Sequence, residues 1–253
     1  MKLQLFSDLH IETIPSANYS LPVMDSDVII LAGDIHIGLY GIDWAAEVVE
    51  THQKPVIYVA GNHEYYRREY FNLTQELRDF SAQVDNLYFL EKECIELSGV
   101  RFLGTTLWTN YRAEYGESEF QKFKQSASRI SDHQLIKYRD RLFTPDDAFE
   151  LNQESVEWLE SEIEKPYTGK TVVVTHHGPS NRCVHPYYGF DDLTPAFLSD
   201  LDKLVEKVDV WCYGHTHANL DTKVGKCRLV SNQKGYPHER MPSAFRPELV
   251  IEL

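Results

Sequence analysis

Asp27-Val28-Ile29-Ile30-Leu31-Ala32-Gly33-Asp34 and Pro55-Val56-Ile57-Tyr58-Val59-Ala60-Gly61-Asn62-His63-Glu64 are the two stretches on which the fold turns. Each is an apolar run, rich in β-branched residues, that stops abruptly at glycine and a polar side chain. Neither alternates apolar with polar, which is the pattern of strands covered on both faces. Between them Trp44 and Val48 recur at helical spacing, with Glu47 and Glu50 turned outward. Strand, helix, strand within about 30 residues is the βαβ signature of an α/β protein.

Working outward, residues 2–8 form a further short apolar run, and residues 67–84 place Tyr70, Leu73, Leu77 and Phe80 on one helical stripe. Residues 87–90 and 100–103 read as strands with hairpin-like links around Ser98-Gly99. The stretch near 110–145 is polar, weakly periodic and rich in Tyr, Lys and Arg, and is expected to be an insertion or lid of helices and loop. Thr144-Pro145-Asp146-Asp147 carries an N-cap and a first-turn proline, opening a helix through Val156, Leu159 and Ile163 that Pro166 ends. A strand over 171–175, a helix from Thr194-Pro195 through Leu201 and Leu204, and strands over 209–213, 227–231 and 249–253 complete the reading. With no repeat or linker, a single α/β domain over 1–253 is the expectation.

The chain carries 39 Asp+Glu against 25 Lys+Arg, a net charge of −14, with 42% hydrophobic and 25% charged residues. That composition is ordinary for a globular protein and excludes a disordered or fibrous class. The acid excess argues against a partner gripped by counterion displacement, such as long nucleic acid. It is tolerated in enzymes that set divalent cations between their carboxylates and a phosphorylated substrate. No apolar run approaches the ~20 residues that span a bilayer, so no membrane is expected, and Asp8 interrupts the N-terminal run too early for a signal peptide. Cys94, Cys183, Cys212 and Cys227 are scattered, without metal-ligand spacing. A reduced, cytoplasmic protein is expected.

The chemistry collects at strand ends. Asp8-Leu9-His10, Gly33-Asp34, Gly61-Asn62-His63-Glu64, His176-His177-Gly178-Pro179 and Gly214-His215-Thr216-His217 each follow a strand, and hold six of the eleven histidines. The carboxyl ends of strands in open α/β sheets are where ligands bind. Carboxylate, imidazole and amide oxygen without thiolate suit first-row ions such as Mn, Fe or Zn. Any one block has a plain explanation, since Gly33-Asp34 alone is an ordinary turn and Asn62 a helix cap. Five at successive strand ends do not.

The ordered set Asp-x-His, Gly-Asp, Gly-Asn-His-Glu, His-x-x-Pro and Gly-His-x-His resembles the calcineurin-like metallophosphoesterase superfamily, over most of the chain from Asp8 to His217. The resemblance implies a four-layer α-β-β-α sandwich of two facing mixed sheets with a dinuclear site at the strand ends. It implies two divalent ions (Mn, Fe, Zn or Ni, with Mn favoured). Asp8, His10 and His217 would hold one, and Asn62, His176 and His215 the other, with Asp34 bridging. His177 is the alternative to His176 in the fourth block. His63 would be the general acid over the substrate, and a hydroxide generated between the ions would attack phosphorus. Relatives commonly continue the second block to a further acid that orients this histidine, and here Ile37 stands in that place.

Around that site His177, His185, Asn110 and Arg112 are the candidates for substrate contact, with Tyr187, Lys234 and Tyr236 nearby in the reading. The leading function is hydrolysis of a small phosphodiester or phosphomonoester. Two rival readings are a DNA or RNA nuclease of the same superfamily, opposed by the acid excess, and a non-catalytic metal-binding scaffold for protein interaction, opposed by the presence of His63.

Overall fold

The computed structural model describes residues 1–14, 19–22, 24–111, 117–239 and 241–253. Two sheets lie face to face. The first contains β1 (Lys2–Phe6), β2 (Val28–Ala32), β3 (Val56–Val59), β4 (Leu87–Phe89) and β13 (Val250–Glu252), ordered β13-β1-β2-β3-β4. The second contains β5 (Glu93–Leu97), β6 (Val100–Thr105), β9 (Lys170–Thr175), β10 (Val210–Tyr213), β11 (Asp221–Val224) and β12 (Cys227–Ser231), ordered β11-β12-β10-β9-β6-β5. A small ribbon pairs β7 (Lys137–Tyr138) with β8 (Arg141–Leu142). Both sheets are mixed: the β1-β2-β3-β4 and β6-β9-β10-β12 runs are parallel, and β13, β5 and β11 add antiparallel edges.

The side-chain period of two sorts each strand between cores. Leu3, Leu5, Ile30, Ala32, Ile57 and Val59 of the first sheet pack with Phe102, Val172, Val174, Val210 and Cys212 of the second. The intervening Ile29, Leu31, Val56 and Tyr58 turn out against α1 (Tyr40–His52) and α2 (Tyr70–Ser81). Val173, Trp211 and Leu229 turn out on the other side against Leu159, Leu204 and Val205. Leu159 belongs to α5 (Pro145–Glu164), while Leu204 and Val205 belong to α6 (Asp202–Val205). Apolar on both faces, these strands give the expected α-β-β-α layering.

The Thr144 cap forms a full capping box with Asp147, whose carboxylate also takes two bonds from Arg141. Residues 110–145 hold α3 (Glu117–Ala127), α4 (Asp132–Leu135) and the β7-β8 ribbon. One expected element is replaced. No continuous helix runs from Thr194 through Leu204, because after a 3₁₀ turn at Thr194–Ala196 the chain pairs with Gly178. Gly178 N donates to Phe197 O and Ser199 N to Gly178 O, and helix resumes only at α6. Strand β11 lies outside the expected set: three of its four residues are polar, only Val224 is buried, and it lies at an edge. No helix among the described residues is long and apolar enough to cross a membrane.

Candidate metal centre

The loops after β1 and β2 stay hydrogen-bonded to each other past the end of the sheet. Asp8 N donates to Gly33 O, His10 N to Asp34 O and Ile11 N to Ile35 O. Asp8, His10, Asp34, His215 and His217 all sit at positive φ between 45° and 69°. Left-handed backbone at a non-glycine costs about 1–3 kcal/mol and survives only where its surroundings over-determine it. Glu64, fully buried, supplies part of that control. Its carboxylate accepts from Asp34 N (3.0 Å), Ile35 N (2.9 Å), Gly61 N (2.7 Å) and the Tyr58 hydroxyl (2.8 Å), clamping the second loop to the third. Gly61 is required there, since a Cβ would collide with the Asp34 carboxylate and the His176 ring.

Two groups of ligand atoms result. In one, His217 Nε2 lies 3.2 Å from His10 Nε2 and 3.3 Å from Asp8 Oδ1. In the other, His176 Nε2 lies 3.0 Å from Asn62 Oδ1, 3.1 Å from His215 Nδ1 and 3.4 Å from Asp34 Oδ1. The second oxygen of Asp34 turns the other way, 3.9 Å from His10 Nε2. Asp34 therefore presents one oxygen to each group.

The outward nitrogens of three of these rings face atoms that only accept. His10 Nδ1 is 3.1 Å from Glu12 Oε1, His176 Nδ1 is 2.9 Å from Ala32 O, and His217 Nδ1 is 2.5 Å from Glu239 Oε2. Each outward nitrogen must carry a proton, so in the neutral ring the inward one offers its lone pair, as second-shell partners arrange for metal-bound histidine. Asn62 donates its amide nitrogen to Asp132 (2.8 Å), leaving its oxygen inward as well. With the rings neutral, acceptors converge on acceptors, and buried His215 Nε2 has no partner among the described residues. A cation relieves such a convergence, and seven N and O donors without thiolate fit divalent first-row ions.

Charge follows the same geometry. Burial pushes the Asp34 carboxyl up, but His176 and His63 outweigh it and hold it well below the usual range; Asp8 is likewise held low, by His217. Burial works against protonation of His176 and His217, yet Asp34 raises His176 to about 9, and Asp8 with Glu239 raises His217 to about 10. Burial and the neighbouring His177 and His176 keep His215 well below the ordinary histidine value. The cluster stores protons that bound divalent ions would displace.

His63 lies between the groups and the solvent. Its backbone N donates to Asp34 Oδ1 (2.9 Å), and its Nδ1 lies 3.1 Å from Glu12 Oε1. Glu12 thus sets a carboxylate beside this ring. Its signal was its position two residues beyond His10; its contact with His63, 51 residues away, was not legible. Glu239, 22 residues past His217, had no local signal. Tyr236 lays its ring on His10 at 4.3 Å and brings its hydroxyl to 3.1 Å from His63 Nε2.

The other candidates separate. It is His176, and not His177, whose nitrogen reaches the ligand group. His177, expected to contact substrate, is instead buried behind His215, ring centroids 4.2 Å apart, with Nδ1 3.1 Å from Thr106 O, and does not line the cavity. His185 lines a cavity of about 570 Å³ that opens from Asp34, His63 and His217. Asn110, whose backbone N bonds Ser199 Oγ, is not on its wall. Arg112 lies outside the described residues.

Residues 1–219 match calcineurin-like phosphoesterase. The uncharacterized protein L509 of Acanthamoeba polyphaga mimivirus is 29% identical over 284 residues, covering 99% of this chain and 96% of that protein. Among solved structures, the phosphopantetheinyl hydrolase PptH of Mycobacterium tuberculosis superposes with a TM-score of 0.70 at 18% identity, covering 93% of this chain and 90% of that one. A dimetal phosphatase from Danio rerio superposes at 0.52 with 14% identity, covering 96% and 90%. At these identities the likeness is one of fold.

Proposed function

The chain belongs to the calcineurin-like phosphoesterase family, and from that premise we propose that it hydrolyses a small phosphoester, mono- or diester, at two divalent ions. The observation that carries the reading is the division of Asp34, with one oxygen toward His176 and the other toward His10. Asp8, His10 and His217 would hold one ion, Asn62, His176 and His215 the other, and Asp34 both, with Mn favoured. When bound, such a pair supplies a lowered water pKa and positive charge opposite the phosphoryl oxygens.

The remaining work falls to side chains of the chain itself. His63 is held at about 9: burial opposes its charge, and Asp34 and Glu12 outweigh burial. It carries a proton near neutral pH, with Nδ1 bound to Glu12 and Nε2 facing the Tyr236 hydroxyl. Nε2 can pass that proton to a leaving oxygen, the usual contribution of a positioned general acid. A small substrate is favoured because the described cavity wall contains no Lys or Arg to track a polymer backbone. The PptH and Danio rerio names accord with hydrolysis at such a centre.

Two measurements test the reading: elemental analysis of protein purified without chelator, then bis- and mono-nitrophenyl phosphate with Mn²⁺, Fe, Zn²⁺ or Ni²⁺. Turnover of either ester is expected, with His63→Ala retaining metal but losing most of the rate and Asp34→Ala losing both. No turnover with any of the four ions overturns the enzymatic reading in favour of a scaffold.

A further inference from the structure

Beside the candidate ligands the cavity wall is built from rings and aliphatic side chains, among them Tyr66, Val184, Tyr188, Leu193, Phe197 and Tyr236. Phe197 is fixed by stacking on His215 at 4.9 Å, and reaches that position through the Gly178 pairing that interrupts the expected helix. Beyond this wall the surface is unusual for a water-facing loop. Eight large hydrophobic side chains of the described residues are exposed; Tyr188 (74%), Leu193 (36%) and Tyr236 (39%) line the cavity, and Tyr187 (61%) and Phe190 (40%) flank its Tyr188-Gly189 segment in the chain. Single exposed apolar residues need no explanation, but several at one cavity mark a binding surface.

The cluster is displayed by a defined turn. Gly189 N donates to His185 O, Tyr187 N to His185 Nδ1, and Tyr188 rests on the His185 ring at 4.5 Å. Asp191 caps the following turn through Thr194 N, so the loop is tied at both ends. Away from the candidate ligands and His63, the described charged residues of the wall are Asp132 and Asp191, and no described Lys or Arg lines it. A second phosphate or a carboxylate placed beside them would meet acids without a compensating side-chain cation, which is discrimination by repulsion.

Resting on the phosphoesterase reading, we propose that the organic part of the substrate is an uncharged planar ring system, seated against the aromatic rim of Tyr188, Phe197 and Tyr236. The phosphoryl group then lies at the candidate ligand atoms and the ring takes the cavity beyond them. A volume of about 570 Å³ is that of a pocket for one small molecule. Aromatic faces hold any flat ring without hydrogen-bond readout, so the selected property is flatness and neutrality rather than one pattern of substituents.

The test compares 2-naphthylmethyl phosphate with propyl phosphate on the Mn²⁺-loaded full chain. Both esters release primary alcohols of similar acidity, so leaving-group chemistry does not separate them. The naphthyl ester is expected to have a kcat/KM about tenfold higher or more, the size of one lost stacking face, and mostly through KM. Tyr188→Ala is expected to lower the ratio of the two about tenfold, and Tyr188→Phe, which keeps the ring, to restore it. Adding a carboxylate to the naphthyl ring is expected to abolish the advantage. Equal kcat/KM for the two esters overturns this inference and leaves the hydrolase reading standing. Should no ester turn over, the hydrolase reading fails, and fluorescence titration of 2-naphthylmethanol into chelator-treated protein decides the cavity alone. Binding that Tyr188→Ala weakens supports the ring site; no binding overturns it.

Discussion

Removing the Glu12 carboxylate should damage ion retention and proton delivery at once, and the structure sets the sizes. One oxygen, Oε1, sits 3.1 Å from Nδ1 of both His10 and His63, and the side chain is only 16% exposed. Burial pushes this carboxyl up, but the bonds from His10 and His63 outweigh it and hold it at about 2. Its contribution is therefore fully present above the ordinary glutamate value and is lost as pH falls through about 2, so it is constant from there up to the region near pH 9 where His63 gives up its proton. A hydrogen bond to a charged group contributes about 1.5–3 kcal/mol and a neutral one about 0.5–1.5 kcal/mol. Glu12→Ala releases both rings. At His63 the loss corresponds to about 10–100-fold in kcat at saturating Mn²⁺. At His10 it corresponds to a similar fall in ion affinity, the usual cost of a second-shell change. Glu12→Gln keeps an oxygen acceptor without its charge and should fall between the two. Calorimetric Mn²⁺ titration and kcat measured at saturating ion give the two numbers separately. Glu12→Ala with both within twofold of the parent would refute the reasoning.

Gly61→Ala places a methyl group against the Asp34 carboxylate and the His176 ring, while Gly61 N is tied to Glu64. Its Mn²⁺ stoichiometry by elemental analysis should drop below that of the parent, and an unchanged value would show that the loop can yield. Asp147→Asn should cost about 0.5–2 kcal/mol by urea unfolding at pH 7. Burial opposes ionisation of Asp147, but Arg141 and Thr144 outweigh it and depress its pKa, so the stabilisation is present above the ordinary aspartate value of 3.8 and fades below it. The gap between parent and variant should narrow steadily as pH falls below 3.8, and a gap that does not narrow there would exclude the charge as its source.

What the sequence made legible was whatever depends on neighbours along the chain. Runs such as residues 28–32 and 172–174 are apolar on both faces, so their strand state and burial follow from composition, and the polar residues just past them fall at one edge of the sheets. Asp8, Asn62 and His215 could thus be grouped before any contact was known. What depends on distant pairing was not legible. The run from Thr194 to Leu204 has helical spacing, yet Gly178 competes for its backbone and wins by giving Phe197–Ser199 a ladder partner. The choice between His176 and His177 needed the direction of each ring. Glu239 reaches His217 through a loop whose course no periodicity encodes.

The seven candidate ligands do not come from one sheet. Asp8, His10, Asp34 and Asn62 follow β1, β2 and β3, whereas His176, His215 and His217 follow β9 and β10. Ions held there would act as a cross-brace, riveting two layers otherwise joined mainly by the greasy interface of Leu5, Ile30, Val172 and Val174. Linkage between such sites is reciprocal. Whatever lets one layer slide against the other loosens the grip on the ions, and loading the ions stiffens the stack. Methyl groups deep in that interface, far from any phosphate, therefore belong to the tuning of the centre as much as to the stability of the fold.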